Sequence, residues 1–218
     1  SIVELFKIYS VGIATARDHF TIHQTKESLK ETVNRFLKLE NEEARNTFNL
    51  GKDVRDWKVA LAKKDLTASG PNFINIRKIS YRPVDDRYTY YTGKSKGFHC
   101  MPRGEVMKHF IKGDNLGLAL CKHFKTGDIY SHCFISNNII EACYLSNRTS
   151  EITITFPLYI YSDETIEHTL LIENKKLRIP NLNDRIVAYI AFKLKLKFTP
   201  EKEETKGTFA PIDILDYI

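Results

Sequence analysis

Apolar positions in this chain change their spacing twice, and each change marks a change of predicted element. Between residues 5 and 22 they alternate with polar ones around Gly12. That predicts a strand, a turn near residues 15–19 and a second short strand at residues 20–22. From Thr25 the spacing lengthens: Leu29, Val33, Phe36 and Leu37 stand at i, i+4, i+7 and i+8, one helical stripe behind a threonine N-cap. A second helix is predicted over residues 42–48. A third is predicted from Asp53, with Val54, Trp57 and Leu61 on one face and Trp57 in the core. Beyond Gly70-Pro71 short β segments take over, at residues 73–80, 87–92, 116–122, 129–136 and 152–161. They are interrupted by one helix opened by Pro102, with Val106, Met107, Phe110 and Ile111 facing inward. Residues 185–198 fit a helix turning into a strand or either element alone, the helix coming first in the preferred reading, and Pro211-Ile212-Asp213 reads as a helix start. The expected fold is α+β: a mixed or mostly antiparallel sheet with an early helical insertion and one or two packed helices. Residues 1–24 form the entering strand and turn segment, 25–70 the helical insertion, and 71–218 the β-rich unit, truncated at its C-terminus. The chain opens on an apolar run without an initiator Met and stops after a brief helix start, so it reads as a fragment of a longer protein.

With 218 residues, 42% of them apolar, the chain can bury a substantial core. No apolar run approaches the roughly 20 residues of a membrane span. The four cysteines, Cys100, Cys121, Cys133 and Cys143, form no C-x-x-C pair, which points to reduced thiols and a cytoplasmic setting. Charge is uneven. The whole chain carries +6, and the stretch from Arg77 to Lys112 alone holds nine bases against three acids, the same excess. That concentration favours an acidic partner.

Within it lies SYRPVDDRYTYY, residues 80–91. Pro83 fixes a turn after Arg82, Asp85 and Asp86 fit that turn, and the tyrosines continue into a second strand. Tyr88 and Tyr90 then face one side and Arg87, Thr89 and Tyr91 the other. Cations interleaved with aromatic rings suit nucleic acid. The alternative is half-buried tyrosine packing and internal arginine–aspartate pairing.

Enzymatic signatures fail in turn. Thr92-Gly93-Lys94-Ser95 resembles the end of a phosphate loop, but Tyr88 stands where the first glycine belongs. His19 and His23 lack the intervening glutamate of a zinc protease helix, and His99-Cys100 and His132-Cys133 have no partner pair at ligand spacing. Asp56-Trp57-Lys58 has an acid-x-Lys form without companion carboxylates. No G-x-S-x-G or Asn-Pro-Pro-aromatic motif occurs. No catalytic residue and no metal ligand is therefore expected in the fragment.

Several segments in order resemble the C-terminal target-recognition region of the Type ISP restriction–modification enzymes. They are VGIATARDHF (residues 11–20), VRDWKVALAKKDL (54–66), YRPVDDRYTYY (81–91), PRGEVMKHF (102–110) and YLSNRTSEITITFPLYIY (144–161), with a weaker echo in PIDILDYI. One departure is Val84, where that family usually has Phe. The resemblance implies a parent that methylates adenine N6 with S-adenosylmethionine and cleaves or translocates DNA with ATP and Mg²⁺, those sites lying outside these residues. It also implies two partners, double-stranded DNA and an upstream methyltransferase domain of the same chain. On that reading Lys94, Lys96, Arg103 and Lys108 are candidates for phosphate contact, and Arg17, Arg87, Asn147 and Arg148 for base reading, since arginine matches guanine and asparagine matches adenine. Internal pairing of Arg17 with Asp18, and of Arg82 or Arg87 with Asp85, is the structural alternative. A domain that couples motor to methyltransferase without reading bases is the functional alternative.

Overall fold

In the computed structural model, which describes residues 1–70, 73–122, 132–146, 151–163 and 178–218, the chain opens with a single helical turn, α1 (Ile2–Leu5), just ahead of the predicted strand. The Ser1 carbonyl accepts from the Glu4 and Leu5 N–H groups, which closes that turn. The predicted strand is regular at β1 (Ser10–Val11), with single β-bridges at Phe6, Ile13 and Ala14. The expected turn is a second helical turn, α2 (Asp18–Thr21), and the following strand shrinks to β2 (Ile22–His23).

Helix α3 (Lys26–Lys38) starts at Thr25, whose hydroxyl accepts from the Ser28 N–H at 3.2 Å, and it buries Leu29, Val33 and Phe36. Helix α4 (Asn41–Thr47) follows. The third helix begins later than its stripe predicts, as α5 (Val59–Ala68). Asp53 explains the delay: its Oδ1 accepts from the Val59 N–H at 3.2 Å and pairs with Arg45 at 2.9 Å, while Val54 and Trp57 close a tight turn between them. Trp57 is fully buried even so, with its indole N–H on the Phe98 carbonyl at 3.1 Å.

The hairpin pairs β3 (Ile76–Arg82) with β4 (Asp85–Tyr90). Its loop is Pro83-Val84 alone. Asp85 and Asp86, expected in the turn, are the first residues of β4, opposite Arg82 and Ser80. Helix α6 (Gly104–Ile111) lies where Pro102 places it, with Val106, Met107 and Phe110 inward. Then come β5 (Gly117–Cys121), β6 (Cys133–Ser136), β7 (Ile139–Ile140), β8 (Thr153–Pro157) and β9 (Tyr159–Tyr161). The first part of the segment predicted at residues 129–136 falls outside the described residues. Last are β10 (Arg178–Pro180), α7 (Asp184–Leu194), β11 (Lys197–Phe198), β12 (Thr208–Phe209) and α8 (Pro211–Tyr217), the last with Pro211 at its first turn as predicted.

Two four-stranded sheets organise the molecule. One, in the order β1-β8-β5-β6, is antiparallel throughout; the other, β2-β4-β3-β7, becomes parallel only at β3 with β7. The α+β expectation holds. Three apolar clusters hold the layers together. The first packs Ile79, Ile139 and Ile140 against Val106 and Met107 of α6. The second joins the α3–α5 helices to Tyr90 and Phe98. The third gathers Leu118, Phe156, Val187 and Leu215 around the C-terminal elements. Alternation along β4 sends Tyr88 and Tyr90 into the helical cluster and Tyr91 into the α6 cluster, the two-sided arrangement the sequence predicts. These tyrosines are packing residues: the Tyr90 hydroxyl donates to the Gly70 carbonyl and the Tyr91 hydroxyl to the Pro102 carbonyl. Among the described residues, no helix is long and apolar enough to cross a membrane.

Candidate nucleic-acid interface

The basic loop between β4 and α6 is built on a buried carboxylate. Asp65, in the apolar stripe of α5 with Val59, Ala62 and Leu66, is 2% exposed. Its Oδ2 accepts from the Thr92 hydroxyl and from the Phe98 N–H, both at 2.8 Å, so the stretch of loop that carries Lys94 and Lys96 is pinned on both sides to one atom. Gly97 makes the approach possible: a Cβ there would lie 2.1 Å from Asp65 Oδ2. Gly93 and Lys96 take left-handed conformations, with φ of 75° and 57°. Lys94 and Lys96 project into solvent from this pinned loop, and Lys96 Nζ comes no nearer to a carboxylate than 3.8 Å, at Asp56. The start of α6 abuts the same loop. Gly104 sits against the Gly93 carbonyl, and Arg103, with φ of 56°, has its Nε buried without a hydrogen-bond partner. Three of the four phosphate candidates are thus gathered. Lys108, further along α6, pairs with Asp163 at 2.7 Å; with Lys112 it draws that carboxyl down to about 2 by hydrogen bonding and charge.

A bridge between Ala14 and Met101 ties this loop to the segment that carries Arg17. There an open cleft of about 800 Å³ is lined by Arg17, Asp18, His19, Asn49, Gly51, Tyr81 and Arg87 among others. Arg17 does not pair with Asp18. Its Nε donates to the Leu50 carbonyl at 2.6 Å, Nη1 to Ala16 at 2.7 Å and Nη2 to Lys52 at 3.0 Å, and its guanidinium lies 5.0 Å from the Trp57 ring centre. Ala16, Asn49 and Gly51, all at positive φ, are the turns that aim those carbonyls. Asp18 instead accepts from the Thr15 and Tyr81 hydroxyls.

Across the cleft, Tyr81 has the Arg82 and Arg87 guanidinium carbons 3.9 and 4.2 Å from its ring centre. Arg87 forms a two-pronged pair with Asp85, the internal pairing that was the alternative for it. Arg82 does not join it: its partner is Glu141, at 2.6 Å. The register of the hairpin accounts for this, because Asp85 in β4 is already engaged by Arg87 while Glu141 follows β7 alongside β3. Burial pushes the Glu141 carboxyl up despite the Arg82 charge, which pulls it down.

Arg17 and Arg87 therefore share one cleft with their guanidiniums engaged, whereas Lys94, Lys96 and Arg103 share a neighbouring loop. Asn147 and Arg148 lie outside the described residues. Glu141, Arg82, Tyr81 and Asp65 were missing from the candidates. Only Asp65 announced itself, as a carboxylate within an apolar helical stripe. Among the described residues, no group of three or more His, Cys, Asp or Glu side chains is placed to hold a metal ion.

The family model for the Type ISP C-terminal specificity domain matches residues 4–218. Comparison with curated proteins returns no match. Among solved structures, the chain is similar to part of the ATP-dependent Type ISP restriction–modification enzyme LlaBIII bound to DNA, at 16% identity and a TM-score of 0.55, over 85% of this chain and 12% of that one. It is similar to part of a cryo-electron-microscopy structure of the DrdV–DNA complex (18% identity, TM-score 0.52, 88% and 18%). It also resembles part of a nuclease-deletion mutant of the Type ISP enzyme LlaGI in complex with a DNA substrate mimic (16% identity, TM-score 0.51, 87% and 18%). At these identities the likeness is one of fold, and the chain spans less than a fifth of the length of each.

Proposed function

The chain belongs to the Type ISP C-terminal specificity domain family, and we propose that it reads duplex DNA for a longer restriction–modification enzyme. The observation that carries the reading is the pinned basic loop: Lys94 and Lys96 exposed, Arg103 beside them, and the backbone between them fixed by Asp65. Cations on a fixed backbone suit phosphate, which gives register and affinity but no sequence information. Lys108 takes a lesser share because Asp163 already neutralises part of its charge. Base reading falls to the cleft beside the loop. Arg87 presents its guanidinium there on the Tyr81 ring and Arg17 shares the cleft's lining, while Asn147 and Arg148, outside the described residues, stay base-reading candidates from the sequence. The parent would methylate adenine N6 with S-adenosylmethionine from an upstream domain of the same chain, extruding the adenine from the duplex. ATP and Mg²⁺ would serve its motor and nuclease parts, in the cytoplasm. None of that chemistry falls to the residues described.

A second reading, that the domain docks on polypeptide and couples parts of the parent without reading bases, draws on α7. Tyr189 and Phe192 stand there 61% and 77% exposed. A gel-shift competition on the intact protein, comparing a selected duplex with a scrambled one across a salt titration, separates the two. A reader prefers the selected duplex at every salt concentration. A coupler shows no preference.

A further inference from the structure

Val84, at the tip of the β3–β4 hairpin, combines two features that oppose each other. It stands in the left-handed region, φ 58°, where a β-branched side chain is a steric outlier and where the position after a turn proline ordinarily carries glycine or asparagine. Its side chain is also completely exposed, at 107% of the reference area, so no packing within the chain compensates for the strain. Strain held without an internal return belongs at a site that acts on something else.

The tip is braced to hold that geometry. Arg82 on one side is tied to Glu141 and Arg87 on the other to Asp85, both against the Tyr81 ring. The acids next to Val84 are occupied. Asp85 is neutralised by Arg87, and Asp86 accepts from Ser80 Oγ at 2.8 Å and Asn138 Nδ2 at 2.9 Å. What the hairpin tip offers outward, beyond the residues that β2 and β7 flank, is therefore a pair of methyl groups beside the cleft, next to the hydrogen-bonded Asp86 carboxylate.

We propose that Val84 is a specificity contact: the hairpin tip enters the major groove and the Val84 methyls cover the C5-methyl group of a thymine. This rests on the DNA-reading function proposed above. The tip, two strands wide beyond the pairings with β2 and β7, fits the major groove, and the thymine methyl is the one apolar feature of the base edges there. A valine side chain is too short to wedge between base pairs and long enough to cap a methyl.

The test selects a duplex library with a randomised centre on the intact protein, comparing wild type with Val84→Gly and Val84→Asn. Both replacements suit the left-handed backbone, so both should melt at or above the wild-type temperature. Wild type should recover a motif containing thymine, and both variants the same motif with that thymine degenerate. Replacing that thymine by uracil, which lacks only the methyl, should weaken wild-type binding about fourfold, the value of one buried methyl group. It should leave the variants unchanged. If the variants recover the full motif, or if no uracil replacement distinguishes them from wild type, the proposal is overturned. If wild type itself recovers no motif, the DNA-reading function fails, and the Val84 contact with it.

Discussion

Cations serve opposite purposes in the two neighbouring parts of the candidate surface. Around the hairpin and cleft, Arg17, Arg82 and Arg87 are bound to carbonyls, to Glu141 and to Asp85, and hold the shape of the surface. In the loop between β4 and α6, Lys94 and Lys96 are exposed, and it is a carboxylate beneath them, Asp65, that holds the shape. The contrast follows from the side chains themselves. Guanidinium offers five donors in a planar fork and suits a structural clasp, whereas an ammonium on a flexible stem suits a mobile counter-charge. Mutations of the clasped arginines should therefore act first on stability, with Arg87 altering base preference as well, and mutations of the loop lysines on salt-dependent binding.

The largest expected effect breaks the clasp. Glu141→Ala leaves Arg82 part-buried without its partner and should cost about 3–5 kcal/mol in chemical denaturation. A loss under about 1 kcal/mol would mean the hairpin is not held from Glu141. Next, Gly97→Ala drives a methyl into Asp65. Displacing that carboxylate should cost about 1–3 kcal/mol and also lower duplex affinity, the one substitution expected to act on both regions together. A destabilised variant with unaltered affinity would separate the loop from binding.

A pH titration sharpens the contrast. Burial holds His99, within the loop, down to about 3, and burial together with Lys108 and Lys112 holds His109 of α6 down to about 4. The unfolded chain takes up these protons near 6.5 and the folded chain does not. Stability is thus complete above that pH and is lost as pH falls from 6.5 towards 4, by up to about 1.4 kcal/mol per pH unit for each histidine. Urea midpoints measured from pH 7.5 to 4.5 should fall accordingly. His99→Gln should flatten the profile, since His99 Nε2 donates to the Thr89 hydroxyl, which itself donates to the Thr21 carbonyl.

How legible each region was in the sequence follows from the range of the interactions. The stripe of α3, the Pro102 and Pro211 helix starts and the two-sided burial of β4 are set by neighbours within a turn or a strand, and the pattern gave them correctly. The misread elements were decided elsewhere: the late start of α5 by Asp53 and its partner Arg45. The hairpin turn shifted because Asp85 joins Arg87 in the strand. Among the site residues, the exposed lysines could be read from charge density. The Arg82–Glu141 pair, 59 positions apart, and the Asp65 anchor under Thr92 and Phe98 depend on how the sheets and helices come together, and no local spacing encodes them.

The central claim is that the exposed lysines of the pinned loop, and not the engaged arginines of the cleft, hold the phosphates. Its most direct test is the salt dependence of duplex binding by the intact protein, wild type against Lys94→Ala/Lys96→Ala. The account predicts unchanged thermal stability and a slope of log K against log salt shallower by about 1.8, two phosphate contacts' worth. A slope equal to that of wild type would contradict it.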